Sequence, residues 1–178
     1  MSAEQAEPVN TGLDDKVREH FAMALSKVLD DTYSLLVQTH LYHWNVRGPL
    51  FADIHKLLEE QYEALFESVD EVAERVRQLG FKVPGDVKQF PTGVQVPATM
   101  PGEESMIADL VKRHEAVTRT LRELSTDADD QHDYVTQDLV NGMLAFHEKA
   151  AWMLRSIITS WPNRRGNASG TGQLRAKN

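Results

Sequence analysis

His43-Trp44-Asn45-Val46-Arg47-Gly48-Pro49-Leu50-Phe51-Ala52-Asp53-Ile54-His55-Lys56-Leu57-Leu58-Glu59 joins two long helical patterns across one break. The break is Gly48-Pro49: proline has no amide hydrogen to give a helix, and it pushes the residue before it out of helical backbone. Upstream, Leu13, Val17, Phe21, Leu25, Val28, Leu29, Leu35, Leu36 and Leu41 recur at helical steps, with no Gly or Pro until Gly48. Downstream, Ile54, Leu58, Leu65, Val69, Val72, Val76 and Leu79 form one apolar stripe from about Phe51 to Leu79, and Gly80 is a natural C-terminal stop.

Beyond Gly80 the character changes. Phe81 to Glu104 holds Pro84, Gly85, Pro91, Gly93, Pro97, Pro101 and Gly102, which suits a crossover between distant helix ends with a short helix inside it. A third helix is predicted from about Glu104 to Leu124, on Met106, Ile107, Leu110, Val111, Val117 and Leu121. An acidic link, Asp127 to Asp133, leads to a fourth, carrying Val135, Leu139, Met143, Phe146, Ala150, Met153, Leu154 and Ile157 and ending near Pro162. Four long helices with one long connection, between the second and third, indicate an all-α bundle of ferritin-like connectivity. The expected organisation is a flexible N-terminal tail over 1–12, the four-helix bundle over 13–161 and a flexible basic C-terminal tail over 162–178.

Composition narrows the function. The 178 residues suit one domain, and a net charge of -8 argues against a molecule built throughout to hold nucleic acid. The absence of cysteine excludes disulfides and thiolate metal sites. With no export signal or long apolar run, a soluble cytoplasmic protein is expected, with no membrane partner. The stretch from Ala52 to Leu79 carries eight acids against three bases, whereas the segment from Pro162 onward has Arg164, Arg165, Arg175 and Lys177 and no acid.

The second helix also carries ligand-type residues off its apolar stripe. His55 and Glu59 are four apart, as are Asp70 and Glu74, and all four fall within an arc of about 100°. A solvated charged face would read similarly for one such pair, but Tyr62 and Phe66 lie between the two pairs, and solvent has little use for aromatics there. One helix cannot bring both pairs to a single site. Glu59 and Asp70 lie about 16 Å apart along it, against metal–oxygen bonds of about 2 Å. A second copy packed antiparallel about a two-fold axis removes the difficulty. Facing positions then have a constant sum, and His55 with Glu74 and Glu59 with Asp70 both give 129. The crossing falls between Ala64 and Leu65, where a small side chain permits close approach. Each dimer holds two identical sites in this arrangement, and His43 across the short turn completes each set. Two imidazoles and three carboxylates make an oxygen-rich site suited to iron(II), with manganese, cobalt and zinc as competitors. An intramolecular di-iron bundle with Glu-x-x-His is ruled out, because none of the seven histidines has Glu three positions before it.

The pattern His-Trp-Asn-Val-x-Gly-x-x-Phe-x-x-Ile-His, with an acid four residues later and Asp-x-x-x-Glu further on, resembles the Dps family, the mini-ferritins that protect DNA in starved cells. The likeness runs from about Thr32 to Trp161 and includes Ala73-Glu74-Arg75, His147-Glu148-Lys149 and Trp152-Met153-Leu154. It implies a hollow homododecamer with di-iron ferroxidase sites at two-fold interfaces. Such a cage oxidises iron(II), preferentially with hydrogen peroxide, and stores iron(III) mineral. Carried over by position, His43, His55 and Glu59 come from one subunit and Asp70 and Glu74 from its partner.

The chain departs from the family pattern twice. The acid after the second histidine is commonly Asp in the family and here is Glu59, and residues 1–12 lack the lysines of many DNA-binding members. Trp44 reads either as a radical trap beside the iron or as a packing residue, and His40 as packed or solvent-linked rather than a ligand. By resemblance, Asp133 and Asp138 line a three-fold pore; N-capping at the start of the fourth helix is the other reading, and the two are compatible. The basic C-terminal tail suits non-specific DNA contact multiplied by avidity, with the nucleoid as a second location. A structural DNA-compacting particle, whose metal site mainly secures assembly, is the alternative to the ferroxidase. A cage tuned to zinc or manganese is a third.

Overall fold

The computed structural model describes residues 4, 5, 7–83 and 99–159. Among these residues the architecture is four α-helices: α1 (Asp15–Asn45), α2 (Phe51–Gln78), α3 (Glu103–Asp130) and α4 (Tyr134–Thr159). No strand occurs among the described residues, and the one bridge there joins Gln5 to Phe81. The short helix expected inside the long connection lies outside the described residues, as do both ends of the chain.

The apolar positions read from the sequence make the core. Phe21, Leu25 and Leu35 of α1, Ile54, Leu58, Leu65, Val72 and Val76 of α2, Ile107, Leu110 and Leu121 of α3, and Val140 and Leu154 of α4 are all essentially inaccessible. Each such side chain contributes about 1.5–3 kcal/mol of burial, so the four stripes together hold the bundle against the entropy of ordering it. Packing is densest between α1 and α2 and between α3 and α4, while α2 and α4 touch sparingly. Tyr42 reaching Asp109 and His20 reaching Asp127 set α1 antiparallel to α3, and Arg75 reaching Asp133 sets α2 antiparallel to α4. The chain therefore runs up, down, down, up, with its one crossover between α2 and α3.

Two turns depend on glycine. Gly48 sits at φ 132° between α1 and α2, and a Cβ there would run into the Glu103 carboxylate at the start of α3. Gly80, at φ 90°, closes α2 with paired bonds from its own amide to the Arg77 carbonyl (2.9 Å) and from Phe81 to Val76 (3.3 Å). The buried Arg18 of α1 adds a cation at this helix end, donating to the Leu79 carbonyl at 2.7 Å. Part of the expected N-terminal tail runs along the same corner: Lys82 donates its amide to the Glu4 carbonyl (2.8 Å), and Arg77 pairs with Glu7 (3.0 Å).

One boundary differs from expectation. The acidic stretch Asp127 to Asp130 is not a link but the last turn of α3, and the connection to α4 is only residues 131–133. Acidity does not stop a helix when no Gly or Pro intervenes. Ala128 is wholly buried against the core, and Asp127 pairs with His20, so this turn is held from the side. His132, at φ 58°, makes the reversal that Gly would ordinarily make.

Candidate functional site

The turn between α1 and α2 brings His43 and His55 into contact. Their rings stack at 3.7 Å between centroids and 18° between planes. Each ring also bonds to the other residue's backbone: Nδ1 of His43 lies 2.8 Å from the His55 carbonyl, and Nδ1 of His55 lies 2.9 Å from the His43 carbonyl. A carbonyl can only accept, so each Nδ1 is the donor, and in the neutral ring Nε2 is then the nitrogen with the lone pair. That tautomer suits an imidazole for metal ligation, with the second nitrogen fixed by a backbone acceptor. The same bond satisfies a carbonyl left free at the end of α1. Phe51 stacks on His55 at 5.0 Å and Tyr62 meets His43 edge-on at 5.2 Å. His43 is buried and His55 half-buried.

The carboxylates are distributed along α2. Glu59, half-buried, lies one turn beyond His55; Asp70 and Glu74 lie further along and are exposed. Among the described residues, no three or more His, Asp or Glu side chains gather where they could hold a metal ion. The side chains at the midpoint of the two half-sites differ from expectation. Leu65 is wholly buried in the bundle, and Ala64 lines the groove toward α4. Helical geometry instead gives this outward face to Tyr62 and Phe66, and Phe66 is 64% exposed. Beside it lies a cavity of about 510 Å³ lined by Tyr33, Leu36, Val37, His40, Tyr62 and Phe66.

His40 stacks on Tyr62 at 4.3 Å and meets Trp44 at a tilt of 40°, with 4.2 Å between centroids. Burial, and then the charge of His43, push its pKa below the ordinary imidazole value. Trp44 covers one side of His40 and is 65% exposed. Tyr62 and Phe51, which frame the two imidazoles, were not among the ligand-type residues of the sequence. Their signal was the helix repeat, since Tyr62 falls two turns after His55 on the same face.

The two acids assigned to a pore are placed differently from one another. Asp133 is 2% exposed; its Oδ1 accepts from Arg75 (2.7 Å) and from the Thr136 amide (3.1 Å), and its Oδ2 from the Thr136 hydroxyl (2.6 Å). These are the contacts of an N-cap tied to a buried cation. Both oxygens of Asp133 are engaged in these bonds, whereas Asp138 is exposed on α4. The basic residues of the C-terminal tail lie outside the described residues.

Comparison with known proteins agrees with this architecture. The ferritin-like domain matches residues 22–163. An uncharacterized low temperature-induced protein of Nostoc sp. is 40% identical over 158 residues, covering 86% of this chain and 88% of the relative. DNA protection during starvation protein 1 of Deinococcus radiodurans is 36% identical, covering 82% of this chain and 72% of the relative. The Dps protein of Vibrio cholerae, described as a member of a broad superfamily of ferritin-like diiron-carboxylate proteins, superposes with a TM-score of 0.76. That match has 25% identity and covers 87% of this chain and 99% of the Vibrio chain.

Proposed function

The chain belongs to the ferritin-like family and, within it, to the DNA protection during starvation (Dps) proteins, and from that premise we propose that it is an iron(II):peroxide ferroxidase and iron-storage cage. The carrying observation is the reciprocal bonding of His43 and His55, which ties up both Nδ1 atoms and leaves both Nε2 atoms open, one helical turn before Glu59 in the sequence. Iron(II) is the substrate. His43, His55 and Glu59 of one subunit, with Asp70 and Glu74 of the partner subunit, hold two ions, and the three carboxylates favour iron(III) over iron(II). Hydrogen peroxide accepts two electrons, one from each ion, and with two protons leaves as two waters. Because the electrons are taken as a pair, no hydroxyl radical is released. The product moves to the acidic surface of the cage interior and mineralises. The cage is a dodecamer of two-fold dimers, and Asp138 lines its iron entry. Trp44, tilted against His40, is a radical trap at the edge of the site.

Complementation between subunits tests both the site and its division. One variant is His43→Ala/His55→Ala, and the other is Asp70→Asn/Glu74→Gln. Each alone is expected to lose peroxide-driven iron oxidation. In a mixed dimer, one site carries every lesion and the other carries none. Co-refolding equal amounts should therefore restore about a quarter of the wild-type activity, because about half the dimers are mixed and each has one intact site. No recovery in verified mixed dimers sinks the shared site, and wild-type rates in the histidine variant sink the ferroxidase reading.

A further inference from the structure

α3 and α4 meet at an imidazole pair that takes no part in the proposed iron chemistry. Nδ1 of His114 lies 2.9 Å from Nδ1 of His147, and both residues are 0% exposed. Only one ring can donate in an N–H···N bond, so the two are opposite tautomers. Neither Nε2 has a hydrogen-bond partner, and Phe146 packs against both rings, at 6.0 Å and 5.2 Å.

Several neighbouring charges are engaged elsewhere. On the α1 side, Tyr42 gives its hydroxyl to Asp109 of α3, which also takes Arg113. α2 presents Gln61, which is uncharged and shares a cavity with Phe146 and Ala150, where Glu60 and Lys149 also contribute. Glu115 of α3 pairs with Arg155 of α4, and Glu148 of α4 pairs with Arg122 of α3. Burial lowers the pKa of both rings, and the charge of His147 lowers His114 further.

A first proton on this pair keeps the N–H···N bond but leaves an unpaired charge inside the bundle. A second removes the acceptor, so that two N–H groups face each other across 2.9 Å. We propose that the His114–His147 pair is an acid-released latch: neutral, it ties α3 to α4, and protonated, it drives them apart. In an opened chain these imidazoles take up protons near pH 6.5, whereas in the closed bundle they resist to about 3 for His114 and about 4 for His147. The latch is therefore complete above pH 6.5 and weakens as pH falls from there toward those lower values.

Denaturant unfolding of the full chain at fixed protein concentration tests this, comparing wild type with His114→Leu/His147→Leu. Linkage for two imidazoles adds about a hundredfold to the rise in the wild-type unfolding constant between about pH 7.5 and about pH 5.5, beyond any rise in the variant. Equal pH dependence in the two proteins overturns the latch. If the double variant does not fold, ring-nitrogen magnetic resonance of the wild type decides. His114 and His147 are expected to be neutral and of opposite tautomer at about pH 5.5. Protonation of both at that pH, with α3 and α4 still paired, overturns it.

Discussion

Arg75 shows how much one side chain can organise. Its Nε donates to the Thr136 hydroxyl at 2.9 Å and its terminal nitrogen to Asp133 at 2.7 Å, while the Thr136 hydroxyl donates onward to Asp133. The ring of bonds is closed, buried, and joins the last turns of α2 to the first turn of α4. Removing the cation strands a carboxylate that is 2% exposed. Arg75→Ala is expected to cost about 3–5 kcal/mol, read as a fall in the denaturant midpoint. Arg75→Lys should recover little, because an ammonium lacks the planar fork that serves Thr136 and Asp133 together. A loss below about 1 kcal/mol in the alanine variant would mean the network contributes no more than a surface pair. Arg75 was legible only as part of Ala73-Glu74-Arg75; nothing in its spacing names a partner 58 residues away.

Among the elements, the helices were legible because burial imposes a period. α2 begins at Phe51 as its stripe and the preceding Gly48-Pro49 require, and its end at Gln78 follows from Gly80. Periodicity alone ends α3 near Leu124, because the acids beyond resemble a linker. It continues to Asp130 because Ala128 has core to bury against and Asp127 has His20 to meet. Such sideways contacts leave no trace in local periodicity. The same is true of His114 and His147: each sits at a helical position that could hold any mid-sized residue, and only the approach of α3 to α4 makes them a titrating unit.

At the scale of the whole molecule, the proposed chemistry needs a second copy, and the proposal seats that copy on the outward face of α2. Phe66 is an exposed aromatic on this face, beside the cavity bordered by Tyr33, Leu36 and Val37. In the proposed pairing, where facing positions sum to 129, it would face position 63 of the second copy, a glutamate. Phe66→Glu then sets acid against acid and removes apolar area, so sedimentation should show dissociated subunits with normal helicity and no iron oxidation. Wild-type assembly in that variant would rule out this face as the interface. The DNA-compacting reading rests on Arg164, Arg165, Arg175 and Lys177. If it holds, removing residues 164–178 abolishes gel retardation at low salt and leaves iron oxidation intact. Unchanged retardation eliminates the tail as the contact.

The sequence by itself determined the four helices, the single long crossover and the spacing of His55, Glu59, Asp70 and Glu74, because period and rise per residue are properties of the backbone alone. Only the tertiary structure decided the state of the imidazoles. The stacking of His43 on His55 and the carbonyl at each Nδ1 come from the angle at which α1 and α2 meet, and they leave each Nε2 available. It also decided that Asp133 caps α4 against Arg75, and that Phe66 rather than Ala64 stands on the outward face. These are matters of direction, and direction is set by how the helices rotate to bury their stripes together.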